Sequence, residues 1–186
     1  MNTPAFEIET KDTHKKYLVN LRLANESDVE HIINIEQICF PPAEAAKPEE
    51  FKKRFAAFKE NFLVAEAKEQ DNKENNSQII GFINGSTTDK PELPDELYHD
   101  TSLHKPKGDY QTVFGLDVLP EFRNRGVAGK LITYLIELSK QRGKKGMVLT
   151  CKDKLIHYYE KFGFKCQGKS SSVHGGASWN DMIYIF

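Results

Sequence analysis

Eight consecutive residues, Arg123-Asn124-Arg125-Gly126-Val127-Ala128-Gly129-Lys130, have the composition of a phosphate cradle. An apolar strand predicted over 112–118 precedes them, and a helix predicted over 127–141 begins inside them. The first turn of a helix leaves its N–H groups without intrahelical partners, and the aligned peptide dipoles put partial positive charge there. Gly126, Ala128 and Gly129 let a diphosphate approach that backbone, while Arg123, Arg125 and Lys130 add charge-assisted hydrogen bonds. The occupant this chemistry selects is an anionic cofactor.

Two common phosphate loops do not fit. Lys130 is followed by Leu131 rather than Ser or Thr, which excludes the loop of nucleoside triphosphatases. The G-x-G-x-x-G spacing of dinucleotide-binding turns is missing, as is an acidic partner for a ribose. What remains is Arg123-x-x-Gly126-x-Ala128, a pattern that plain surface turns also contain.

Other segments narrow the choice. Gly115-Leu116-Asp117-Val118-Leu119-Pro120-Glu121-Phe122-Arg123 leads into the cradle, and Cys151-Lys152-Asp153-Lys154-Leu155-Ile156-His157-Tyr158-Tyr159-Glu160-Lys161-Phe162-Gly163-Phe164 follows it. Ile80-Gly81-Phe82-Ile83-Asn84-Gly85 precedes a long loop that ends in Leu103-His104-Lys105-Pro106-Lys107-Gly108. Together these segments resemble the GCN5-related N-acetyltransferase superfamily, and within it the arylalkylamine (serotonin-type) branch.

The resemblance implies an α/β fold whose mixed, mostly antiparallel central sheet is splayed in the middle, with helices on both faces. It implies acetyl-CoA as co-substrate and no metal. The activity it implies is N-acetyl transfer to a small primary amine, of arylalkylamine or polyamine type, directly and through a tetrahedral intermediate. On this resemblance Arg123, Asn124, Arg125, Gly126, Val127, Ala128, Gly129 and Lys130 hold the diphosphate. Leu116, Asp117 and Val118 offer main-chain groups to the pantetheine arm, which acts as a substitute strand in the splay. A main-chain N–H on the same strand faces the thioester carbonyl.

Acyl transfer to an amine needs two proton movements, because an ammonium has no lone pair and a departing thiolate must be protonated. By resemblance Tyr159 is the acid beside the sulfur; as a plain residue it also reads as a core aromatic sharing a helix face with Leu155 and Phe162. Vertebrate serotonin-type relatives carry paired histidines on the central strand, but the matching positions here are Thr112 and Phe114. Insect-type relatives use a glutamate after the first helix, which makes Glu44 of Phe40-Pro41-Pro42-Ala43-Glu44-Ala45 the candidate base. It accepts a proton through a water, attracts the substrate cation, or is an exposed acid with no role. Glu36, Asp117 and His174 are the weaker titratable candidates. Two other functions stay open: acetylation of a protein lysine or amino terminus, disfavoured by an ordered 89–110 loop, and a non-catalytic acyl-CoA sensor, disfavoured by Tyr159.

Composition sets the bounds. With 186 residues and 39% apolar content, residues 1–186 suit a single domain, with 1–15 as a flexible arm. A net charge of −1 argues against a nucleic-acid partner. Residues 1–12 lack a signal-peptide pattern and no apolar run spans a bilayer, so no membrane association is expected. Three cysteines without C-x-x-C spacing fit reduced thiols in a cytoplasmic protein, and six histidines without i, i+4 pairing give no zinc site. A monomer or a homodimer is compatible with these features.

The supporting elements follow from periodicity. A strand is predicted over 17–23, then a helix to Ile38 capped from 25–28, then a helix from Pro48 carrying Phe51, Phe55 and Phe58. Segments 62–67 and 79–85 read as a hairpin with a mobile tip over 68–78, and 89–110 as a substrate lid. The helix over 127–141 stops at Gly143, a buried strand covers 147–150, Asp153 caps a further helix that ends at Gly163, and 179–186 closes the sheet.

Overall fold

The computed structural model describes residues 5–71 and 76–186. Its strands are β1 (Ala5–Glu9), β2 (Lys16–Leu23), β3 (Leu63–Glu69), β4 (Ser77–Asn84), β5 (Thr87–Thr88), β6 (Tyr110–Val113), β7 (Gly115–Val118), β8 (Gly146–Cys151), β9 (Lys165–Lys169) and β10 (Asn180–Ile185). Its α-helices are α1 (Val29–Cys39), α2 (Pro48–Phe58), α3 (Glu96–His99), α4 (Val127–Gln141) and α5 (Ile156–Glu160).

The strands form two half-sheets, ordered β1-β2-β3-β4-β7 and β5-β6-β8-β10-β9. Every pairing is antiparallel except that of β6 with β8. Period-2 patterning explains the two cores. Leu63, Ala65 and Ala67 face α4 and α5 in the larger core, whereas Val64 faces α1 and α2 in the second. The stripe on α4 is Val127, Leu131, Ile132, Leu135 and Leu138, all buried. Burying each of the larger ones contributes about 2 kcal/mol. On α2, Phe51, Phe55 and Phe58 are buried in the second core against Phe62 and Phe82. Helices therefore cover both faces of the α/β sheet.

The predicted strand over 112–118 is in fact two strands. β6 belongs to one half-sheet and β7 to the other, and Phe114 sits at the break. The chain changes partner there: Thr112 N donates to Ser86 O at 2.9 Å, and Phe114 N to Asn84 O at 2.8 Å. Gly85 permits this crossing, since a Cβ on it would stand 1.9 Å from Thr112 O. As a result β7 pairs with β4 alone and β8 with β6 and β10, and the edges of β7 and β8 diverge.

Three other expectations are corrected. The amino-terminal arm contains a strand, β1, paired with β2; residues 1–4 lie outside the described residues, as do residues 72–75 of the hairpin tip. Asp153 does not cap the helix after β8, because Lys169 Nζ and Asn180 Nδ2 each donate to its Oδ1 at 2.6 Å. β9 was not predicted, since its residues are almost all exposed and polar and show no alternation. The 89–110 loop is ordered around α3 and packs Leu93, Leu97 and Tyr98 against Val148.

Candidate active site

The junction of β7 with α4 has the form the sequence called for. Gly126 is the N-cap of α4 at φ +81°, and nothing lies within 4 Å of a Cβ built on it. Asn124 also takes a positive φ, of 60°, and Asn124, Gly126 and Lys130 are exposed. The first-turn N–H groups, with Arg123, Arg125 and Lys130 around them, thus form an open basic rim. Arg123 Nε donates to Val118 O at 2.9 Å, and Arg125 Nε to Glu9 O, which fastens the rim to the strands beneath it.

Alongside lies a cleft of about 890 Å³. Its walls are the divergent edges of β7 and β8, the loop from α1 to α2, the start of α3, and the turn at His174. The unpaired edge of β7 leaves main-chain groups of Leu116 and its neighbours without a ladder partner. Val118 O, in contrast, is already occupied, accepting from Arg123 Nε and from Cys39 Sγ.

Tyr159 lines the cleft, is 8% exposed, and makes no hydrogen bond through its hydroxyl among the described residues. Burial holds its phenol well above the ordinary value, so it is protonated at neutral pH. Tyr159 packs in the larger core and also lines the cavity. Cys151, pushed up to about 11 by burial, is a packed thiol.

The titratable groups separate by their partners. Glu44 Oε1 accepts from Lys152 Nζ at 2.6 Å, and its Oε2 is buried without a partner. His174 Nε2 donates to Glu44 O at 2.9 Å, and its ring stacks on Tyr98 at 5.0 Å, so it is held as a structural prop. Glu36 is 4% exposed; its Oε1 accepts from Ala46 N at 3.0 Å, while Oε2 is buried with no partner. Burial pushes the Glu36 carboxyl up to about 7, against the opposing pull of Arg54. Its Oε2 lies 3.4 Å from where a Cβ on Gly115 would stand, next to the strand break. Asp117 is 8% exposed, and burial with the nearby Glu36 raises it well above the carboxylate range.

Arg54 was not singled out from sequence. Its guanidinium is 4% exposed, donates to Tyr98 O at 3.2 and 2.7 Å, and lies 5.0 Å from the Phe114 ring centroid. The i, i+3 position of Arg54 relative to Phe51 in a buried stripe was the one available signal. Thr112 is buried, and its hydroxyl donates to Ser86 O at 3.1 Å. Among the described residues no cluster of three or more His, Cys, Asp or Glu could hold a metal ion, and no helix is long and apolar enough to cross a membrane.

The chain that builds this splayed sheet and glycine-capped helix start is matched over residues 29–164 by a family model described as "Acetyltransferase (GNAT) family". The chain belongs to this family. Among curated proteins, this GNAT chain is 33% identical over 106 residues to serotonin N-acetyltransferase of Mesocricetus auratus, covering 56% of the chain and 50% of that protein. Against the Macaca mulatta enzyme it is 31% identical over 105 residues, again with 56% and 50% covered. It therefore spans about half the length of the curated relatives it matches.

Solved structures share the GNAT fold at low identity. The loading GNATL domain of CurA from Lyngbya majuscula aligns with TM-score 0.72 at 16% identity, over 90% of this chain and 97% of that one. The GphF GNAT-like decarboxylase, solved in complex with isobutyryl-CoA, aligns at 0.71 and 18%, over 89% and 98%. NAA60 of Arabidopsis thaliana, solved with a bisubstrate analogue, aligns at 0.64 and 19%, over 90% and 97%.

Proposed function

We propose that this protein is an acetyl-CoA-dependent N-acetyltransferase whose acceptor is a small primary amine. The observation that carries this reading is the placing of Glu36, a buried carboxylate with one free oxygen, at the β6–β7 break of a cleft that Tyr159 also lines. Acetyl-CoA supplies the activated acyl group. The residues of the cradle, 123–130, suit its diphosphate, and the free edge of β7 at Leu116 suits its amide arm. Val118 contributes mainly its N–H side, because its carbonyl is held by Arg123.

The base is Glu36 rather than Glu44. A base works best when its pKa lies near the working pH, and Glu36 titrates at about 7 with an oxygen free to accept. Glu44 is engaged by Lys152 and acts as an electrostatic anchor at the acceptor end. Tyr159 donates its phenolic proton to the leaving thiolate. A protein acceptor would need an open groove, and the ordered 89–110 loop, which lines the cleft through Tyr98, disfavours it. Aromatic walls at Phe40, Phe114 and Trp179 favour an amine with an apolar body. The three free cysteines accord with a cytoplasmic setting.

The test is release of free coenzyme A from acetyl-CoA across a panel of arylalkylamines, polyamines and peptides. Turnover with small amines is expected. Binding of coenzyme A without turnover on any amine would reject the enzymatic reading in favour of a sensor.

A further inference from the structure

Asp117 has no part in the chemistry assigned so far. It stands two residues beyond Gly115 on β7, so both project from one face of the strand. That is the face covered by α1, whose Cys39 donates from Sγ to Val118 O. It is also the face of Phe82, which pairs with Asp117 across the ladder and packs in the core beneath α1 and α2. Glu36 comes down from α1 onto the same spot.

Three side chains around Gly115 carry buried polar atoms without hydrogen-bond partners: Glu36 Oε2, Asp117 Oδ2, and both Oδ1 and Nδ2 of Asn84. Asn84 Oδ1 and Glu36 Oε2 lie 3.3 and 3.4 Å from the position a Gly115 Cβ would take. Buried polar groups are otherwise almost always satisfied, and an orphaned one is costly. Two carboxyls facing one small volume of low polarity resist double ionisation and share a proton.

Resting on the assignment of Glu36 as base, we propose that Glu36 and Asp117 act as a single unit, a carboxyl–carboxylate pair bearing one negative charge that takes the proton of the acceptor ammonium. The N–H bond of the ammonium breaks and an O–H bond forms on the carboxylate. The pair becomes neutral, the amine keeps the electron pair with which it attacks, and the proton passes to solvent after the product leaves. Asp117 carries the resident proton, since burial and the Glu36 charge hold it well above the carboxylate range. Asn84 supplies an amide that can donate to one member and accept from the other.

The other groups facing the pair are few. Toward Glu36 they are Glu50 and Arg54 of α2 and the N–H of Ala46. Toward Asp117 they are Arg123, Cys39 of α1 and Tyr159 of α5. Burial raises both Cys39 and Tyr159, so neither adds a negative charge at neutral pH.

The test is carbon NMR of the intact protein with ¹³C-labelled aspartate carboxyls, followed against pH, with Asp117→Asn assigning the resonance. Asp117 is expected to be protonated at pH 7, and its midpoint to fall by about one unit or more in Glu36→Gln. An Asp117 signal already ionised at pH 5, or a midpoint that Glu36→Gln does not move, overturns the pair. Kinetics give a second readout. Asp117→Leu, which removes the hydrogen-bonding oxygen, should lose about tenfold more kcat at pH 8 than Asp117→Asn, an isostere of the protonated acid. Equal losses would reduce Asp117 to packing and reject the proposal. Because the NMR titration needs neither acetyl-CoA nor amine, its failure rejects the pair alone, whereas absence of turnover on every amine rejects the activity.

Discussion

The ammonium of Lys152 donates to the Glu44 carboxylate at 2.6 Å, tying the end of β8 to the loop between α1 and α2 across the mouth of the cleft. The same ammonium lies 5.5 Å from the Trp179 ring centroid, so carboxylate and aromatic face together form a cation site that the protein fills with its own lysine. Glu44→Gln is expected to raise KM for the amine several-fold while leaving the pH dependence of kcat/KM unchanged. Steady-state assays from pH 6 to 9 check this; a shifted acid limb would return the role of base to Glu44.

Glu36→Gln removes the proton acceptor. At pH 7 kcat/KM should drop about 10²-fold, the usual contribution of a positioned base. In the wild type activity should climb as pH rises through about 7, because the carboxyl must be ionised to accept a proton. The deficit of the variant should narrow at high pH, where the amine is already free. A wild-type profile flat from pH 6 to 8 would count against Glu36.

The same substitution has an opposite effect on stability. Burial pushes Glu36 up to about 7 in the fold from an ordinary value of 4.5, so the native state disfavours its ionised form. Stability is therefore lost as pH rises from the unfolded value to the folded one, and the deficit is complete above that. Glu36→Gln should be more stable than wild type at pH 8, by on the order of 3 kcal/mol and with a higher unfolding temperature, and differ little at pH 4. Calorimetric melts at the two pH values check the sign.

Tyr159→Phe keeps the ring and its packing but removes the proton. Turnover at saturating substrates should fall by about 10- to 100-fold, and by a similar factor at pH 7 and pH 9, because the wild-type phenol stays protonated across that range. Affinity for coenzyme A should stay within about twofold. Unchanged turnover across the range would leave Tyr159 a core aromatic.

Gly126→Ala tests the cradle. The left-handed conformation at φ +81° costs a side-chain-bearing residue about 1 kcal/mol, although no atom lies near the added methyl. The melting temperature should fall by roughly 2–4 °C. Calorimetric titration should show coenzyme A binding at least about tenfold weaker, by blocked approach of the diphosphate. Undiminished affinity would move the diphosphate elsewhere.

Much of this architecture was readable because it depends on local rules. The α4 helix was placed residue for residue, from the apolar stripe Val127, Leu131, Leu135 and Leu138 and from Gly143 at its stop. The break at Phe114 was not readable, since the residues on either side of it are equally apolar and buried and the change of partner depends on Asn84 and Ser86 far along the chain. β9 escaped for the opposite reason: a polar edge strand takes its order from pairing with β10, not from its own pattern. At the site, Glu44 stood out by its position between prolines and the Pro48 helix, whereas Glu36 ranked only among the weaker titratable candidates. Its distinction is burial with one orphaned oxygen, a property only the packing of α1 on β7 creates.

Because the chain passes between the half-sheets at the bends beside Gly85 and Phe114, the edges of β7 and β8 diverge and share no ladder of hydrogen bonds. A ligand arm laid along that seam would serve as the missing rung, adding hydrogen bonds where the two half-sheets are joined by a shared core of side chains. Amide protons along the seam should then exchange more slowly when the donor is bound.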